Sequence, residues 1–346
     1  MGNLLSYSGL TTKIRAMQSK LLTDTEYKEL AELSSVPQAV AYLKQKPSYS
    51  HILNSLDDQR LHRGDIEKLL INSVYNDFAR IYRFANTSQR GFLTLYFKRY
   101  EIAIMKDCLN NIFDHREVAL DLSLFKTFFD RHSKLDINTL AESSSIEEFV
   151  NNLKGSEYYR PLIAISHIGN PSLFDYELAL DLYYFRVFWK VKDKMLSKTD
   201  LAQITHAFGN KFDLLNIQWI YRARNFYKMS TPSIYALTIP TVYKLKKSDI
   251  TALVEAEGKE SFQTALDKTY YGKRYEDLSA GSLEEMYSYI MKNILSREVT
   301  KNPYSVAILY RYLYLKDHEI QRLTVTLECI RYGLTADDAL THIFKF

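Results

Sequence analysis

The sequence predicts an all-α protein made of three tandem copies of one helical unit. Helix breakers are scarce. The 346 residues include 11 glycines and 7 prolines, both below the usual ~7% and ~5%. A phrase also recurs: Leu30 to Lys44 reads LAELSSVPQAVAYLK, and Leu140 to Lys154 reads LAESSSIEEFVNNLK. The two share 8 of 15 positions at an offset of 110 residues, where about one match is expected from composition. A third, weaker copy begins at Leu253.

The phrase reads as a helix start. Ser35 precedes Gln38 by three residues, and Ser145 precedes Glu148 likewise. This is capping-box spacing: the hydroxyl accepts from the backbone N–H at N3, and the longer side chain reaches back to the cap. Pro37 falls in the first turn, where its missing N–H costs little. Val36, Val40 and Leu43 then follow at helical spacing, matched by Ile146, Val150 and Leu153, so each set forms one buried stripe. In the third copy Gly258 takes the cap position, an acceptable N-cap residue. Leu30 to Leu43, Leu140 to Leu153 and Leu253 to Leu266 all span 13 residues. A tyrosine-bearing segment follows each copy: Tyr49, Tyr158-Tyr159 and Tyr270-Tyr271.

Each copy continues into a helix carrying a glutamate, namely Glu67, Glu177 and Glu285. An acid–aliphatic pair comes next: Glu101-Ile102, Asp213-Leu214 and Glu319-Ile320. From the aliphatic residue a stripe runs along one helix face. It comprises Ile102, Met105, Leu109 and Ile112, then Leu214, Ile217, Tyr221 and Arg224, then Ile320, Leu323, Leu327 and Ile330. The acid is expected at the start of its helix or one turn in, where negative charge favours the dipole. The period exceeds the ~20–50 residues of a solenoid repeat and matches a small domain. The predicted divisions are 1–120 with an added N-terminal helix or arm, 121–235 and 236–346. Boundaries are expected near 118–128 and 228–240.

Composition narrows the function classes. Hydrophobic residues make up 46% of the chain, enough for a sizeable core, and 27 residues are tyrosine. Tyrosine joins an apolar ring to a polar tip and suits helix seams. Net charge is +4, with no polybasic run, which argues against nucleic acid as partner. Cys108 and Cys329 lack metal-site spacing and read as reduced thiols of an intracellular protein. There is no run of ~18 apolar residues that could span a membrane. The N-terminal MGNLLS fits the myristoylation pattern from Gly2 to Ser6, a short pattern often matched by chance. Asn86-Thr87-Ser88 is a glycosylation sequon without a secretory context.

No catalytic, cofactor-binding or metal-binding residue is assigned, and no cofactor is expected. Gly258-Lys259 lacks the earlier glycine of a phosphate loop. His318 reads as a surface or seam residue. Asp57-Asp58 and Asp337-Asp338 lack the third acid of a magnesium-holding cluster. The triplicated acids read either as three carboxylates converging on an axis or as seam residues paired with Lys or Arg; the second is favoured because their neighbours differ between copies. The aromatic helix from Tyr183 to Lys194 reads as core, with Arg186, Lys190, Lys192 and Lys194 as its solvated face.

These features resemble the C subunit of V/A-type rotary ATPases, called the d subunit in eukaryotes, and the bacterial and archaeal form in particular. The resemblance covers essentially the whole chain. Its best part is the tail from Asn302 to Leu340: an Asn-Pro, a tyrosine-bearing aliphatic helix, K-x-x-E-I, and Gly333 closing the helix before Thr335 to Asp338 restart a short one. The middle copy carries D-x-x-N as Asp213 and Asn216, then Arg222 and Arg224. The first copy departs, with Ile104 where the middle has Asn216. The stretch KIRAMQSKLLTDTEYKELAEL matches the prokaryotic form. The resemblance implies a non-catalytic rotor subunit, a funnel of three bundles with pseudo-threefold symmetry. It would sit on the cytoplasmic face of the membrane, peripheral to it, joining the central-stalk axle to the membrane rotor ring. Interface candidates are Phe84 to Gly91 and Lys194 to Asn210. The competing readings are a free-standing helical adaptor scaffold and a magnesium-dependent isoprenoid enzyme.

Overall fold

The computed structural model describes every residue except 1, 58–60, 117, 119 and 346. Asp58, half of the Asp57-Asp58 pair, therefore lies outside the described residues. The described residues form helices, with no strand among them, and fall into two compact units.

The first unit joins the two ends of the chain, Met1–Asn86 and Glu284–Phe346. It begins with α1 (Gly2–Gln18), α2 (Asp24–Ala31), α3 (Val36–Lys44), α4 (Ser50–Leu53) and α5 (Arg63–Phe84). The second unit is Thr87–Leu283. It opens with α6 (Thr87–Phe113), α7 (Ser123–His132), α8 (Ile137–Ala141), α9 (Ile146–Asn152) and α10 (Tyr159–Ser166). It continues with α11 (Leu173–Met195), α12 (Lys198–Asn225), α13 (Thr231–Leu237), α14 (Lys247–Glu255), α15 (Gly258–Lys268) and α16 (Tyr270–Arg274). The chain returns to the first unit through α17 (Leu283–Lys301), α18 (Val306–Arg331) and α19 (Ala336–Ile343).

The three longest helices, α6, α12 and α18, are the ones that carry Glu101, Asp213 and Glu319. In the first unit α18 packs against α1, α2, α3, α5 and α19. In the second, α6 packs against α8 and α11, and α12 against α13, α14 and α15. The aliphatic stripes supply the contact faces. Ile102, Met105, Leu109, Leu214, Ile217, Ile320, Leu323 and Leu327 are all buried. Ile112 and Arg224, at the ends of their stripes, are half-buried.

The position of the acids differs from expectation. Glu101 is 14 residues past Thr87, Asp213 is 15 past Lys198, and Glu319 is 13 past Val306. All three are mid-helix, beyond the first turn to which the dipole's benefit is confined. Their burial must be offset by specific partners instead.

The recurring phrase does start a helix. Ser35 and Ser145 cap α3 and α9, accepting from the N–H of Gln38 and Glu148 at 3.5 and 3.2 Å. Leu30, Leu43, Leu140, Leu153, Leu253 and Leu266 are all buried. The reach-back is one residue longer than a capping box. Gln38 accepts from the N–H and hydroxyl of Ser34, and Glu148 from those of Ser144. Two donors on one preceding serine satisfy the side-chain oxygen better than the single N–H of the cap. In the third copy Glu257, not Gly258, is the cap of α15. Gly258 has φ +81°, a left-handed conformation open to glycine, so the backbone turn fixes that residue.

The end of α18 follows its sequence signal. Gly333 has φ +66°. Its N–H donates to Ile330 O at 3.1 Å, and that of Leu334 to Cys329 O at 3.0 Å. This is the Schellman pair of bonds, and Thr335 then caps α19.

Candidate functional site: three carboxylate–tyrosine clamps

Each mid-helix acid is held by a tyrosine and by a loop that leads into a short helix. Glu101 on α6 accepts from Tyr158 Oη at 2.6 Å and from Ser133 Oγ, in the loop between α7 and α8. Asp213 on α12 lies 3.0 Å from Tyr271 Oη. Its two oxygens accept the backbone N–H groups of Tyr243, Lys244 and Leu245 at 2.9, 2.6 and 3.0 Å. Glu319 on α18 accepts from Tyr49 Oη, from Lys316 Nζ at 2.9 Å and from the Leu22 N–H at 2.6 Å.

The pairing is cyclic. The acid of copy one takes the tyrosine of copy two, and the acid of copy two takes that of copy three. The acid of copy three takes the tyrosine of copy one, 270 residues away. The other two separations are 57 and 58 residues. Helix contacts repeat this order, since α6 meets α8, α12 meets α14 and α15, and α18 meets α2 and α3. The first two clamps lie in the second unit and the third in the first unit.

The residue three before the acid completes two of the three clamps. Lys316, 1% exposed, also donates to Tyr49 Oη at 2.8 Å. Asn210 occupies the same place before Asp213, and its Oδ1 lies 2.9 Å from Tyr271 Oη. Lys98, before Glu101, turns outward to Glu157 and lies 5.9 Å from the Tyr158 ring centroid. D-x-x-N has a clear local role. Asn216 Nδ2 donates to Ile239 O at 3.1 Å, while Ile239 N–H donates to Asn216 Oδ1 at 2.7 Å. Asp213 and Asn216 together pin residues 239–245 to α12.

Burial sets the protonation tendencies. Desolvation pushes the Asp213 carboxyl above its ordinary range, opposed by its three backbone donors and Tyr271. Desolvation likewise raises Glu101, opposed by Ser133 and Tyr158. Burial and the adjoining carboxylate hold the phenols of Tyr49, Tyr158 and Tyr271 far above the ordinary tyrosine range, so they remain donors. Each acid therefore has its own tyrosine, and no tyrosine is shared between two of the three acids.

The acidic markers Glu67, Glu177 and Glu285 are not buried, so the glutamate of this helix is a surface or rim feature in every copy. Tyr184, Phe185 and Phe188 are core, with Phe188 stacked on Phe208 at 3.8 Å between centroids. Arg186, Lys190 and Lys194 are exposed or partly so, but Lys192 is buried, 2.7 Å from Asp193 Oδ1 and 4.3 Å from the Trp189 ring centroid. It leaves the solvated face because the aromatic side of α11 covers its stem. His318 is half-buried, its ring tilted by 48° against that of Tyr314 with centroids 4.2 Å apart. Asp338 takes part in the Thr335 cap of α19. Of the expected contact segment Lys194 to Asn210, the part from Gln203 onward is largely buried within α12. Its open part meets the other segment, since a Cβ at Gly91 would stand 3.0 Å from Met195 O. Cys108 and Cys329 are free and buried. Among the described residues no helix is long and apolar enough to cross a membrane.

The described residues are helical and repeat a buried carboxylate–tyrosine seam three times, which defines the chain as an all-α protein with an internally tripled helical unit. Residues 10–341 match the family model described as ATP synthase (C/AC39) subunit, and the chain belongs to that family. It is similar to the C subunit of the A-type ATP synthase of Pyrococcus abyssi, 26% identical over 339 residues, covering 95% of this chain and 87% of that protein. The namesake of Methanocaldococcus jannaschii is 22% identical, with 94% and 83% covered. That of Archaeoglobus fulgidus is 22% identical, with 97% and 96% covered.

Proposed function

We propose that this chain is the non-catalytic rotor subunit of a V/A-type rotary ATPase that joins the central axle to the membrane ring. In this reading three tandem bundles, 1–120, 121–235 and 236–346, form a funnel with pseudo-threefold symmetry on the cytoplasmic face of the membrane. The funnel receives the axle on one side and rests on the ring on the other, so torque passes through it during ATP-driven ion transport or ATP synthesis. The single observation that carries the reading is the triplicated clamp. Each clamp ties a long helix to a loop and a tyrosine of the next copy in cyclic order, which resists sliding between elements. A body transmitting torque needs that stiffness, and close-packed interiors of low compressibility supply it. The relatives, each a subunit of an A-type ATP synthase, support the assembly in which this happens.

The test is co-purification of the tagged chain from detergent-solubilised membranes. Recovery of both ring and axle subunits is expected. Recovery of neither would sink the rotor reading and leave a free-standing helical scaffold.

A further inference from the structure

The first unit has a basic end. Residues 1–23, 78–86 and 299–316 hold eight Lys or Arg and no Asp or Glu, while the other 37 bases of the chain face all 41 acids. Packing gathers these stretches, since α1 lies against both α5 and α18. Asn86 Nδ2, just past α5, donates to Ser6 Oγ at 2.7 Å. Thr11 Oγ1 donates to Pro303 O, just ahead of α18, at 3.1 Å.

Three large apolar side chains stand out of this end. Leu4 is 48% exposed, Leu5 81% and Phe84 58%. The inner face of α1, with Tyr7, Leu10 and Ile14, is buried, so the helix is docked and its two leucines are left outside. From Leu4 and Leu5 the outer face runs on through Ser8, Gly9 and Thr12 with no charge before Arg15. The solvent face of a helix is ordinarily charged. Thr12 also turns its hydroxyl back onto Ser8 O at 3.0 Å. Cations border this apolar face. Lys13 Nζ lies 5.2 Å from the Phe84 ring centroid. Arg15 and Arg83 are exposed, and no described carboxylate pairs with either. Arg80, Lys301 and Lys316, by contrast, are taken up by Asp77, Glu298 and Glu319.

We infer that this end of the first unit lies on an anionic phospholipid surface, with Leu4, Leu5 and Phe84 in the headgroup layer and Lys13, Arg15 and Arg83 against lipid phosphates. The charge selects an anionic partner, because the bordering bases have no acid among them. The shape selects lipid over protein. Anchors of a protein contact are fully desolvated in well-packed pockets, and lysine is depleted around them. Here the apolar side chains protrude, and clefts of about 560 and 200 Å³ open elsewhere without including any of the three. Protruding aliphatic and aromatic groups beside Lys and Arg are the make-up of a helix lying in a bilayer interface. The inference goes beyond the rotor reading, which seats the chain on protein subunits and gives lipid no part.

The experiment is flotation of the purified full chain with vesicles of phosphatidylcholine, alone or mixed with phosphatidylglycerol, at low and high salt. Wild type is compared with L5S/F84S, with R15E/R83E, and with K154E/K259E, which makes the same charge change at two exposed lysines of the second unit. All the substituted side chains are exposed or nearly half so, and thermal unfolding at the wild-type temperature is the check that each variant folds. Wild type is expected to float with the anionic vesicles only and to be released by salt, which screens exposed charges. L5S/F84S and R15E/R83E should each bind about tenfold more weakly, while K154E/K259E binds as wild type. A photo-crosslinker at Leu5 in native membranes should capture lipid. The inference is overturned if wild type stays unbound, if it binds neutral vesicles as well as anionic ones, or if either test variant binds like wild type. It is also overturned if K154E/K259E loses as much binding as R15E/R83E, or if the crosslink maps to a protein subunit. Each of these outcomes leaves co-purification with ring and axle subunits unchanged, so failure here is distinct from failure of the rotor reading.

Discussion

The Asp213 and Glu319 clamps occupy the same place in their copies and solve the same problem with different chemistry. Asp213 is satisfied by three backbone N–H groups and has a neutral Asn210 three residues before it. Glu319 has one backbone donor and a buried ammonium, Lys316, in that position. The loop of residues 243–245 wraps the shorter aspartate closely enough to make a cation unnecessary. At Glu319 the loop presents a single N–H, and Lys316 supplies the rest. The lesson is that what recurs within this chain is the satisfied carboxylate, not the identity of its partners.

The largest expected effect falls on the charged clamp. Glu319→Leu strands Lys316 in the interior and should cost about 3–5 kcal/mol, as for a broken buried ion pair. Adding Lys316→Met should restore most of that loss in urea unfolding. Equal stability of the single and double variants would mean that the charge pair does not hold the seam. Asp213→Asn should cost about 2–3 kcal/mol, since its amide cannot accept from every backbone donor. No change at Asn210 should rescue it, because the orphaned groups are main-chain. Rescue by an Asn210 substitution would erase the contrast between the clamps.

The close wrap at Asp213 can be tested from its other side. A Cβ at Gly209 would lie 2.4 Å from the Tyr243 ring, so Gly209→Ala should cost about 2 kcal/mol by overpacking. At the matching place before Glu319 stands Leu315, so crowding there follows no glycine rule. The three Tyr→Phe variants should each cost about 1.5 kcal/mol, as for a hydrogen bond to a charged group. Tyr49→Phe should be the worst of them, because Lys316 also loses an acceptor. Equal losses in thermal unfolding would show that Lys316 finds another partner.

The smallest effect concerns pH. Asp213 has a raised pKa when folded, so its favourable share is complete below the unfolded carboxylate range and is lost as pH rises through the folded value. The stability of wild type relative to Asp213→Asn should therefore fall as pH rises from below the ordinary aspartate range. A relative stability that climbs with pH would mean that the three backbone donors outweigh desolvation.

Much of the fold was legible in the order of residues alone. The helix starts at Ser35 and Ser145, the buried leucines, the glycine stop at Gly333 and the triple register of acids all follow from spacing and capping chemistry. The tyrosines were visible as a recurring mark, but their partners were not. Local periodicity carries no information about which copy a side chain meets, so the pairing of Glu101 with Tyr158 is invisible to it. A signal did exist in the nearly constant separations of 57 and 58 residues and in the matched residue three before each acid. Loop donors such as Leu22 N–H and residues 243–245 left no mark, because any non-proline residue can supply a backbone N–H. Lys192 misled for a related reason, since a long stem lets a lysine sit under an aromatic face while its sequence looks solvated.

The 270-residue separation of Tyr49 from Glu319 also has a consequence during synthesis. At ~5–20 residues per second, the first tyrosine leaves the ribosome on the order of 10–50 seconds before its acid exists. The Glu101 and Asp213 clamps can close while the chain is still being made, but the third must wait for the penultimate helix. A truncated message would therefore yield a protein with two finished joints and one exposed, unfilled seat, and that seat marks where quality control would first find it incomplete.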